Sequence, residues 1–439
     1  MNNSSLISID KIRLALIASA FIGVSISYSN FYLFHFVLSI FILIKFLIFK
    51  ERKFKIKIDS HKKNYFIVLF FILLWYSFSL LWAQNIELGL KYIFYIFCGI
   101  VSLSTVIHFS KNIASFNTLF RLLSFLVILE IIIGLFESFT QFRMPISSYS
   151  PLSSIFGKDP INFSPFDSIY LYVNLNPPTG FRWNTNDFAI SLIIALPFFI
   201  CHNNNYIKIF GMATIPTLIA MTASRAAFLS LILILSLYLI LIKKNIGTLI
   251  LVWVSSFVII FSISQFRDSE NSRLNELANS FQALKLFISG DIDLGGSIEW
   301  RRKLVENGLD ALARTNGLGL GAGGTVANQE IIGPVAGRFT SMHNFWVELL
   351  VEGGVIFGSI TILCIINILI KVFSYSKKNI GRRLKYYNQS LFLSISGFFF
   401  AAIAASSTIY FFPMWLLYGF AISTLLLSKA QFEKFKLNN

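Results

Sequence analysis

The chain has 439 residues, of which 55% are hydrophobic and only 13% are charged, and its formal net charge is +16. A soluble globular protein carries about 25% charged residues. Apolar stretches of about 20 residues, the length needed to cross a bilayer as a helix, recur from one end of the chain to the other. Composition therefore excludes an ordinary soluble protein and predicts an all-α integral membrane protein.

Apolar stretches bounded by charged and turn residues, taken in chain order, predict about 12 transmembrane helices. They cover residues 12–28, 30–49, 65–83, 91–109, 117–138, 187–201, 206–222, 226–242, 247–265, 345–373, 389–405 and 408–428. The first stretch has no small-residue cleavage site behind it, so we expect it to be retained as a helix. The three cysteines lie in or at the ends of apolar stretches, which predicts neither a disulfide framework nor a cysteine metal site.

The basic residues cluster in alternate connections between the predicted helices. KERKFKIKIDSHKK after the second stretch holds seven Lys or Arg, and KKNIGRRLK after the tenth holds five. With both termini in the cytoplasm, these clusters all fall on the cytoplasmic side, as the positive-inside rule requires. The positive charge is thus explained by topology and by attraction to anionic lipids, and no nucleic-acid partner is predicted.

The predicted helices divide the chain into five regions. These are an N-terminal five-helix membrane region (1–138), a first external loop (139–186), central membrane helices (187–265), a second external loop (266–344) and C-terminal membrane helices (345–439). The first loop is rich in Pro, Ser and Asn, so we expect it to be irregular. The second has helix-like patterns at 273–288 and 298–314 and is expected to form a partly helical cap. No internal repeat is visible, which argues against a transporter built from two related halves.

Several polar side chains are predicted to lie together at the external level. They are His343, Arg182, Arg225, Arg301, Arg302 and Arg338. Histidine is the usual general base near neutral pH, and the arginine fork matches phosphate oxygens. Since no nucleotide motif is present, this set favours chemistry on a substrate that already carries a pyrophosphate.

Each of these residues also has a structural interpretation. An arginine at a helix end is often a membrane anchor, and His343 could cap the following helix, as Asn344 also could. Arg225 fits an anchor less well, because its small neighbours suggest close backbone packing around a charge that needs an anionic partner. The segment GLGLGAGG lacks the Lys-Ser/Thr ending of a nucleotide loop, and we interpret it as a flexible turn.

Three segments resemble the O-antigen ligase and O-antigen polymerase family of bacterial membrane glycosyltransferases. They are GFRWNTNDFA, TASRAAFLSL, and GLGLGAGG followed by SMHNFWVELLVEGGVIFG. In the last of them ten residues separate His343 from Gly354, the spacing associated with the ligases. The resemblance covers roughly residues 180–360.

The resemblance implies a fold similar to the GT-C-like ligase architecture, placed in the bacterial inner membrane. It implies that His343 deprotonates an acceptor hydroxyl and that Arg225, with Arg301 or Arg302, binds the pyrophosphate of an undecaprenyl-pyrophosphate-linked glycan. Arg182 and Arg338 are further candidates for glycan or phosphate contact. The implied reaction is an inverting transfer that needs no metal and no cofactor; Asp291 and Asp293 are interpreted as loop residues.

The family includes more than one activity. The segment around His343 looks closest to teichuronic-acid-type and capsule polymerases, so polymerisation of repeat units is favoured, with a flippase and a chain-length regulator as further partners. The alternative within the family is a ligase that transfers the glycan to lipid A core or to protein. The alternative outside enzymes is a flippase for lipid-linked glycans, which would place charged residues such as Glu130 within the membrane.

Overall fold

The computed structural model describes residues 3–50, 60–140, 142–158, 177–245, 247–248, 250, 253–254, 297–332, 341–405, 407 and 409–437. Its elements up to the middle of the chain are α1 (Asn3–Ile22), β1 (Ser27–Tyr28), β2 (Phe31–Tyr32), α2 (Leu33–Lys50), α3 (Ser60–Phe78), α4 (Ile86–Phe109), α5 (Ile113–Phe139), α6 (Thr185–Ile200), α7 (Asn205–Thr222) and α8 (Arg225–Leu237), which continues as a π-helical turn over Tyr238–Lys243.

The later elements are α9 (Ser297–Arg314), α10 (Gly324–Ile332), α11 (Phe345–Gly353), α12 (Val355–Ser376), α13 (Arg382–Ala401) and α14 (Phe412–Leu437). Short 3-10 turns at Gly23–Ser25, Ser79–Leu81, Pro151–Phe156 and Ala402–Ala404 connect some of them. The two strands form a small antiparallel hairpin that pairs Ser27 with Tyr32.

Eleven of the predicted membrane stretches coincide with observed helices, and the ninth, 247–265, lies almost entirely outside the described residues. Within the described residues, α3, α4, α5, α8 with its π turn, α12, α13 and α14 are long and apolar enough to cross a membrane, and α2 and α6 are shorter apolar helices. The all-α multi-pass membrane fold is therefore confirmed. The total of about 12 spans stays a prediction.

Asparagine residues fix where several of these helices begin. In α4, α5, α6, α7 and α11 the side-chain oxygen of an N-cap asparagine accepts a hydrogen bond from a backbone N–H of the first turn. These caps are Asn85, Asn112, Asn184, Asn204 and Asn344. Such a bond satisfies a backbone donor that has no partner within the helix.

Among the seven membrane-length helices, α14 and α13 are the most buried, and they lie at the centre of the bundle. Helix α14 packs along α4, while α13 packs against α6, α8 and α12. The hairpin, the N-terminal ends of α6 and α14, and the segment before α11 all approach the same end of this bundle, where they surround a cavity.

The predicted tenth span, 345–373, is corrected by the structure: it consists of two helices, α11 and α12, which meet at Gly354. The φ angle of Gly354 is 82°, and a Cβ there would overlap the carbonyl oxygen of Leu318. The apolar sequence continues through the break, so hydropathy alone does not reveal it.

The segment GLGLGAGG, residues 317–324, holds this break in place. The N–H of Leu320 donates to the carbonyl of Val351 at 2.8 Å, and the N–H of Val355 donates to the carbonyl of Gly317 at 2.9 Å. These bonds satisfy backbone groups that the interruption of the helix would otherwise leave unpaired. The segment is therefore a fixed brace for α11, and the interpretation as a flexible turn is corrected.

Replacing Gly354 with Ala should destabilise the protein by roughly 2–4 kcal/mol, because the change adds both backbone strain and an overlap with Leu318. Gly381 offers a matched control: its φ angle is 85°, but a Cβ added there would meet nothing within 4 Å. Gly381→Ala should cost only about 1 kcal/mol. Thermal unfolding of the purified proteins in detergent measures both, and equal losses would contradict the role given to the contact with Leu318.

Candidate active site

A cavity of about 720 Å³ lies at the end of the bundle where the hairpin, α4, α6, α9 and α14 converge. Three of the residues singled out in the sequence, Arg182, Arg301 and His343, line it although they are far apart in the chain. Convergence of such side chains in one concave site is the arrangement expected of a binding or active site.

His343 stands directly before α11 in the left-handed backbone region, with a φ angle of 49°. The cap of α11 is Asn344, whose Oδ1 accepts hydrogen bonds from the N–H groups of Trp346 at 3.2 Å and Val347 at 3.3 Å. The capping role considered for His343 therefore belongs to Asn344. A non-glycine residue at positive φ is uncommon, and histidine is among the residues that adopt this conformation more readily.

The cavity keeps the imidazole of His343 neutral. Burial lowers the pKa of His343 to about 4, and the positive charge of Arg301 contributes to that lowering. Both effects disfavour the charged imidazolium. At neutral pH the ring can therefore accept a proton, as a general base must.

Two adjacent arginines on α9 have different surroundings. Arg301 is half-buried and lines the cavity. Burial lowers its pKa to about 10, with a further contribution from the charge of Arg225, so it remains protonated at neutral pH. The Arg302 side chain is 43% exposed and lies 3.5 Å from Glu306 in an ion pair. The structure thus brings Arg301 to His343 and directs Arg302 to the outer face of α9.

Arg225 is the first residue of α8 and follows a tight turn in which Ala223 has a φ angle of 55°. It does not line the cavity itself. Its charge nevertheless acts on Arg301, which places the two guanidinium groups in one electrostatic neighbourhood. Arg225, Arg301 and His343 are therefore linked through their charges, and of the three only Arg301 and His343 line the cavity.

Arg182 lines the cavity but is held by the protein. Its Nε lies 2.9 Å from Oε1 of Glu130, and its Nη2 donates a hydrogen bond to Oε2 of the same carboxylate at 3.1 Å. A further bond reaches the carbonyl oxygen of Phe21 at 2.7 Å. Both Arg182 and Glu130 are buried. The acid that would suggest a transport pathway is thus neutralised inside the fold.

Breaking this ion pair should cost about 3–5 kcal/mol, because the remaining charge would be buried without its partner. We expect Glu130→Gln and Arg182→Gln to reduce the yield of folded protein similarly, as measured by thermal unfolding after purification. Glu306→Gln is the matched control: it breaks the exposed pair with Arg302 and should change stability by less than about 1 kcal/mol. If Arg182→Gln left stability intact and removed only activity, Arg182 would be a substrate contact instead.

The cavity wall also contains residues that the sequence did not indicate. Among them are Tyr32, Lys91, Lys158, Trp183 and Asp187. They come from the hairpin, α4, the first long loop and the start of α6, so their proximity depends on tertiary folding. The segment GFRWNTNDFA partly indicates this wall, because it supplies the N-cap of α6. Asn184 caps that helix and accepts a hydrogen bond from the N–H of Asp187 at 2.9 Å.

The remaining predicted features either lie outside the described residues or are used within the fold. Arg338, Asp291 and Asp293 lie outside the described residues. In the glycine segment, the N–H of Gly319 donates to Thr315 and that of Ala322 donates to Ser79, so these donors are already used within the fold. Within the described part of the chain, no group of three His, Cys, Asp or Glu side chains is placed to hold a metal ion.

Two comparisons relate the sequence of this chain to known proteins. Residues 210–363 match the family described as O-antigen ligase, a stretch that includes Arg225, Arg301 and His343. Over 369 residues the chain is 24% identical to the teichuronic acid biosynthesis protein TuaE of Bacillus subtilis (strain 168), which covers 81% of this chain and 71% of that protein. The chain is thus a multi-pass helical membrane protein whose residues 210–363 match the O-antigen ligase family, as the resemblance of its sequence segments predicted.

Proposed function

We propose that this protein transfers a glycan from undecaprenyl pyrophosphate to an acceptor hydroxyl at the external face of the cytoplasmic membrane, and thereby polymerises repeat units into a surface polysaccharide. The observation that carries the proposal is the cavity in which the neutral imidazole of His343 lies beside the guanidinium of Arg301. A base next to a fixed cation suits a reaction in which a hydroxyl attacks while an anionic group leaves.

In the proposed step, the imidazole of His343 takes the proton of the acceptor hydroxyl as its oxygen attacks the anomeric carbon of the donor. The bond between that carbon and the pyrophosphate oxygen breaks, and its electron pair stays on the pyrophosphate. Arg301, together with the charge of Arg225, stabilises the added negative charge. Attack from the side opposite the leaving group inverts the anomeric configuration, and the imidazolium then returns its proton to the released pyrophosphate or to water.

Binding of the donor would also adjust the base. In the free protein the charge of Arg301 helps to hold the pKa of His343 at about 4. A bound pyrophosphate brings negative charge to Arg301, which favours the imidazolium and raises the pKa of His343 toward neutrality. His343 would therefore become a stronger base once the donor is in place.

A second cavity supports a lipid-linked donor. It has a volume of about 800 Å³, lies between α3, α4, α12 and α14, and is lined mainly by apolar side chains. Phe345 and Leu349 of α11 line the part nearest His343, whereas Lys371 and Lys429 line the part toward the other ends of the helices. We propose that the polyprenyl chain of the donor lies in this groove, where it stays out of contact with water.

Polymerisation is preferred over ligation because the relative TuaE is named for teichuronic acid biosynthesis, and the segment around His343 resembles teichuronic-acid-type polymerases. A ligase would use the same donor and the same base and differ only in its acceptor. The flippase alternative is less favoured, because the acid expected to line a transport path, Glu130, is buried in an ion pair with Arg182. A flippase and a chain-length regulator remain proposed partners.

The test uses the purified full-length protein in nanodiscs and lipid-linked oligosaccharides isolated from a strain that lacks it. We expect longer glycans and free undecaprenyl pyrophosphate to appear together, in the presence of a chelator and without nucleotide. Transfer that stops in chelator and returns with magnesium would contradict the metal-independent step. Glycan moved across the membrane without any change in length would favour the flippase.

The orientation of the chain is tested with reporter tags. We predict that a tag after Lys57 or Arg383 is cytoplasmic, because the basic clusters lie there, and that a tag after Ser168 or Gly290 is external. A cytoplasmic reading at Gly290 would put the cavity on the wrong side of the membrane for a donor held in the outer leaflet.

A further inference from the structure

A third cavity, of about 720 Å³, is lined mainly by residues of α5, α6 and α7, and side chains of α13 and α14 complete its wall. The lining is almost entirely apolar, with the aromatic rings of Phe120, Phe198 and Phe210 along it. Phe125 and Tyr206, which also line it, are exposed. The cavity is therefore a groove that opens sideways toward the membrane, and we call it the α5–α7 groove.

One end of the α5–α7 groove is surrounded by basic residues. Arg121 of α5 and His202, which follows α6, line this end. Burial lowers the pKa of His202, and the charge of Lys208 lowers it further, so Lys208 of α7 is close by. The charges of Arg121 and Arg383 both act on Tyr387 of α13, which places Arg383 in the same neighbourhood.

Hydrogen bonds fix the helices that carry these basic residues. The hydroxyl of Tyr386 donates to the carbonyl oxygen of Phe198 at 2.6 Å and joins α13 to α6. The ring of Tyr386 also stands edge-on to that of His202, with ring centres 5.7 Å apart. The hydroxyl of Tyr387 donates to Asn117 at 2.8 Å and joins α13 to α5. The basic end of the groove is thus built by the fold.

The charges at this end are not balanced by acids of the protein. Within the described residues, Arg121, Lys208 and Arg383 take part in no ion pair. Both arginines are exposed, as is usual for side chains that meet lipid headgroups. The arginine fork matches two oxygens of a phosphate. Since the adjoining groove is apolar, the anion that fits here carries hydrocarbon chains.

The position of the basic end selects the leaflet of the membrane. Arg383 belongs to KKNIGRRLK, which the positive-inside rule assigns to the cytoplasmic side. The α5 residues that line the groove run from Phe120 to Ile128, about 12 Å along the helix, which is within one leaflet of a bilayer core about 30 Å thick. The pyrophosphate of the proposed donor lies at the opposite side, beside His343, so the donor does not fit this groove.

We propose that the α5–α7 groove binds an anionic phospholipid of the cytoplasmic leaflet, with its phosphate on Arg121 and an acyl chain among the aromatic rings. Pockets of this kind, basic and placed between membrane helices on the cytoplasmic side, are a known means of holding anionic lipid headgroups. The site goes beyond the proposed function, because neither the glycan donor nor the acceptor occupies it.

The opposite end of the groove reaches the support of the active site. Phe21 and Ser191 line that end. The carbonyl oxygen of Phe21 accepts a hydrogen bond from Nη1 of Arg182 at 2.7 Å, and Ser191 accepts one from Nε at 3.3 Å. A bound acyl chain therefore packs against two residues that hold Arg182 in its ion pair with Glu130, and we expect the lipid to stabilise the folded protein.

The test compares dioleoyl phosphatidylglycerol with dioleoyl phosphatidylcholine, which have the same chains and differ in net charge. Each is added to the full-length protein in detergent; native mass spectrometry measures binding, and thermal unfolding measures stability. We expect phosphatidylglycerol to bind at least about fivefold more tightly and to raise the melting temperature more, because it binds the folded state. Glycerophosphoglycerol, the same headgroup without chains, should do neither.

Two substitutions act on different parts of the bound lipid. Arg121→Gln should lower the affinity for phosphatidylglycerol to that for phosphatidylcholine. Its matched control is Lys434→Gln, which removes an exposed charge near the end of α14. Ser124→Trp places an indole in the middle of the α5 wall and should abolish the preference by filling the groove. Its matched control is Ser77→Trp on the exposed face of α3. Both controls should bind as the wild-type protein does.

Three results would each overturn the proposal. They are equal affinities of the wild-type protein for the two lipids, a preference for phosphatidylglycerol that survives either groove substitution, and binding of glycerophosphoglycerol as tight as that of the intact lipid. If one variant did not fold, the other would still decide the outcome. No glycan is present in these measurements, so their result does not depend on the proposed transfer.

Discussion

Replacing His343 with Asn is expected to lower glycan transfer by about 100- to 10,000-fold, the usual loss when a positioned general base is removed. Asparagine tolerates the left-handed backbone that His343 adopts, with its φ angle of 49°. It cannot take a proton from the acceptor. We therefore expect normal amounts of protein in the membrane and a surface glycan that no longer extends, measured as chain length on a gel beside the protein level.

The cap of α11 provides the control for this experiment. Asn344→Ala removes the oxygen that accepts from Trp346 and Val347 and should cost about 1 kcal/mol of stability. It should leave the chemistry of His343 in place, so transfer per molecule of folded protein should remain measurable. Glycan of normal length made by His343→Asn would show that the imidazole is not the base.

The second large effect is expected at Arg301. Arg301→Gln should reduce transfer by about 100- to 1,000-fold, as is typical when one fixed group that stabilises developing negative charge is lost. Arg302→Gln is the matched control on the same helix, because Arg302 is exposed and pairs with Glu306. It should change transfer by no more than about twofold. Equal losses in the two variants would contradict the assignment of Arg301 to the cavity.

The pH dependence of Arg301→Gln supplies a readout that a general packing defect would not give. Burial lowers the pKa of His343 to about 4, and the charge of Arg301 adds to this. A base must be unprotonated, so kcat/KM of the wild-type protein should fall only as the pH approaches about 4. Removing the charge of Arg301 raises the pKa of His343, and the fall should begin at a higher pH in the variant. An unchanged acid limb would contradict the proximity of the two groups.

Much of the helical layout could be predicted from sequence, because a bilayer requires helices of a certain length and composition. The break at Gly354 could not, since the apolar residues of α11 continue directly into α12. It depends on residues 317–324, which reach α11 from a distant part of the chain and pair with its carbonyl groups. Backbone hydrogen bonds between distant segments cannot be detected from the hydropathy of the sequence.

Helical periodicity in the sequence distinguishes Arg301 from Arg302. Leu304, Gly308 and Ala311 are buried and recur at helical spacing, so Arg301, three residues before Leu304, lies on the same face of α9. Arg302 shares its face with Glu306, which is exposed. Helical periodicity therefore distinguishes two arginines that the family resemblance left equivalent.

The meeting of Lys91 and Lys158 at the cavity could not be predicted from the sequence. Lys91 and Lys158 belong to different regions of the chain, and each resembles the basic residues that flank membrane helices elsewhere in it. Only the fold of the first long loop onto the hairpin brings Lys158 to the cavity. The pairing of Glu130 with Arg182 is similar: Glu130 belongs to α5 and Arg182 to the segment before α6, and only the tertiary fold brings the two charges into contact.

The most direct measurement of the central claim separates binding from transfer in His343→Asn. Undecaprenyl pyrophosphate affinity and single-turnover glycan transfer are measured on the same preparation of the variant in nanodiscs. If His343 is the base and Arg301 grips the leaving group, the variant binds undecaprenyl pyrophosphate within about threefold of the wild-type protein and transfers at least about 100-fold more slowly. A variant whose affinity falls as much as its rate would show that His343 holds the donor and that the proton goes elsewhere.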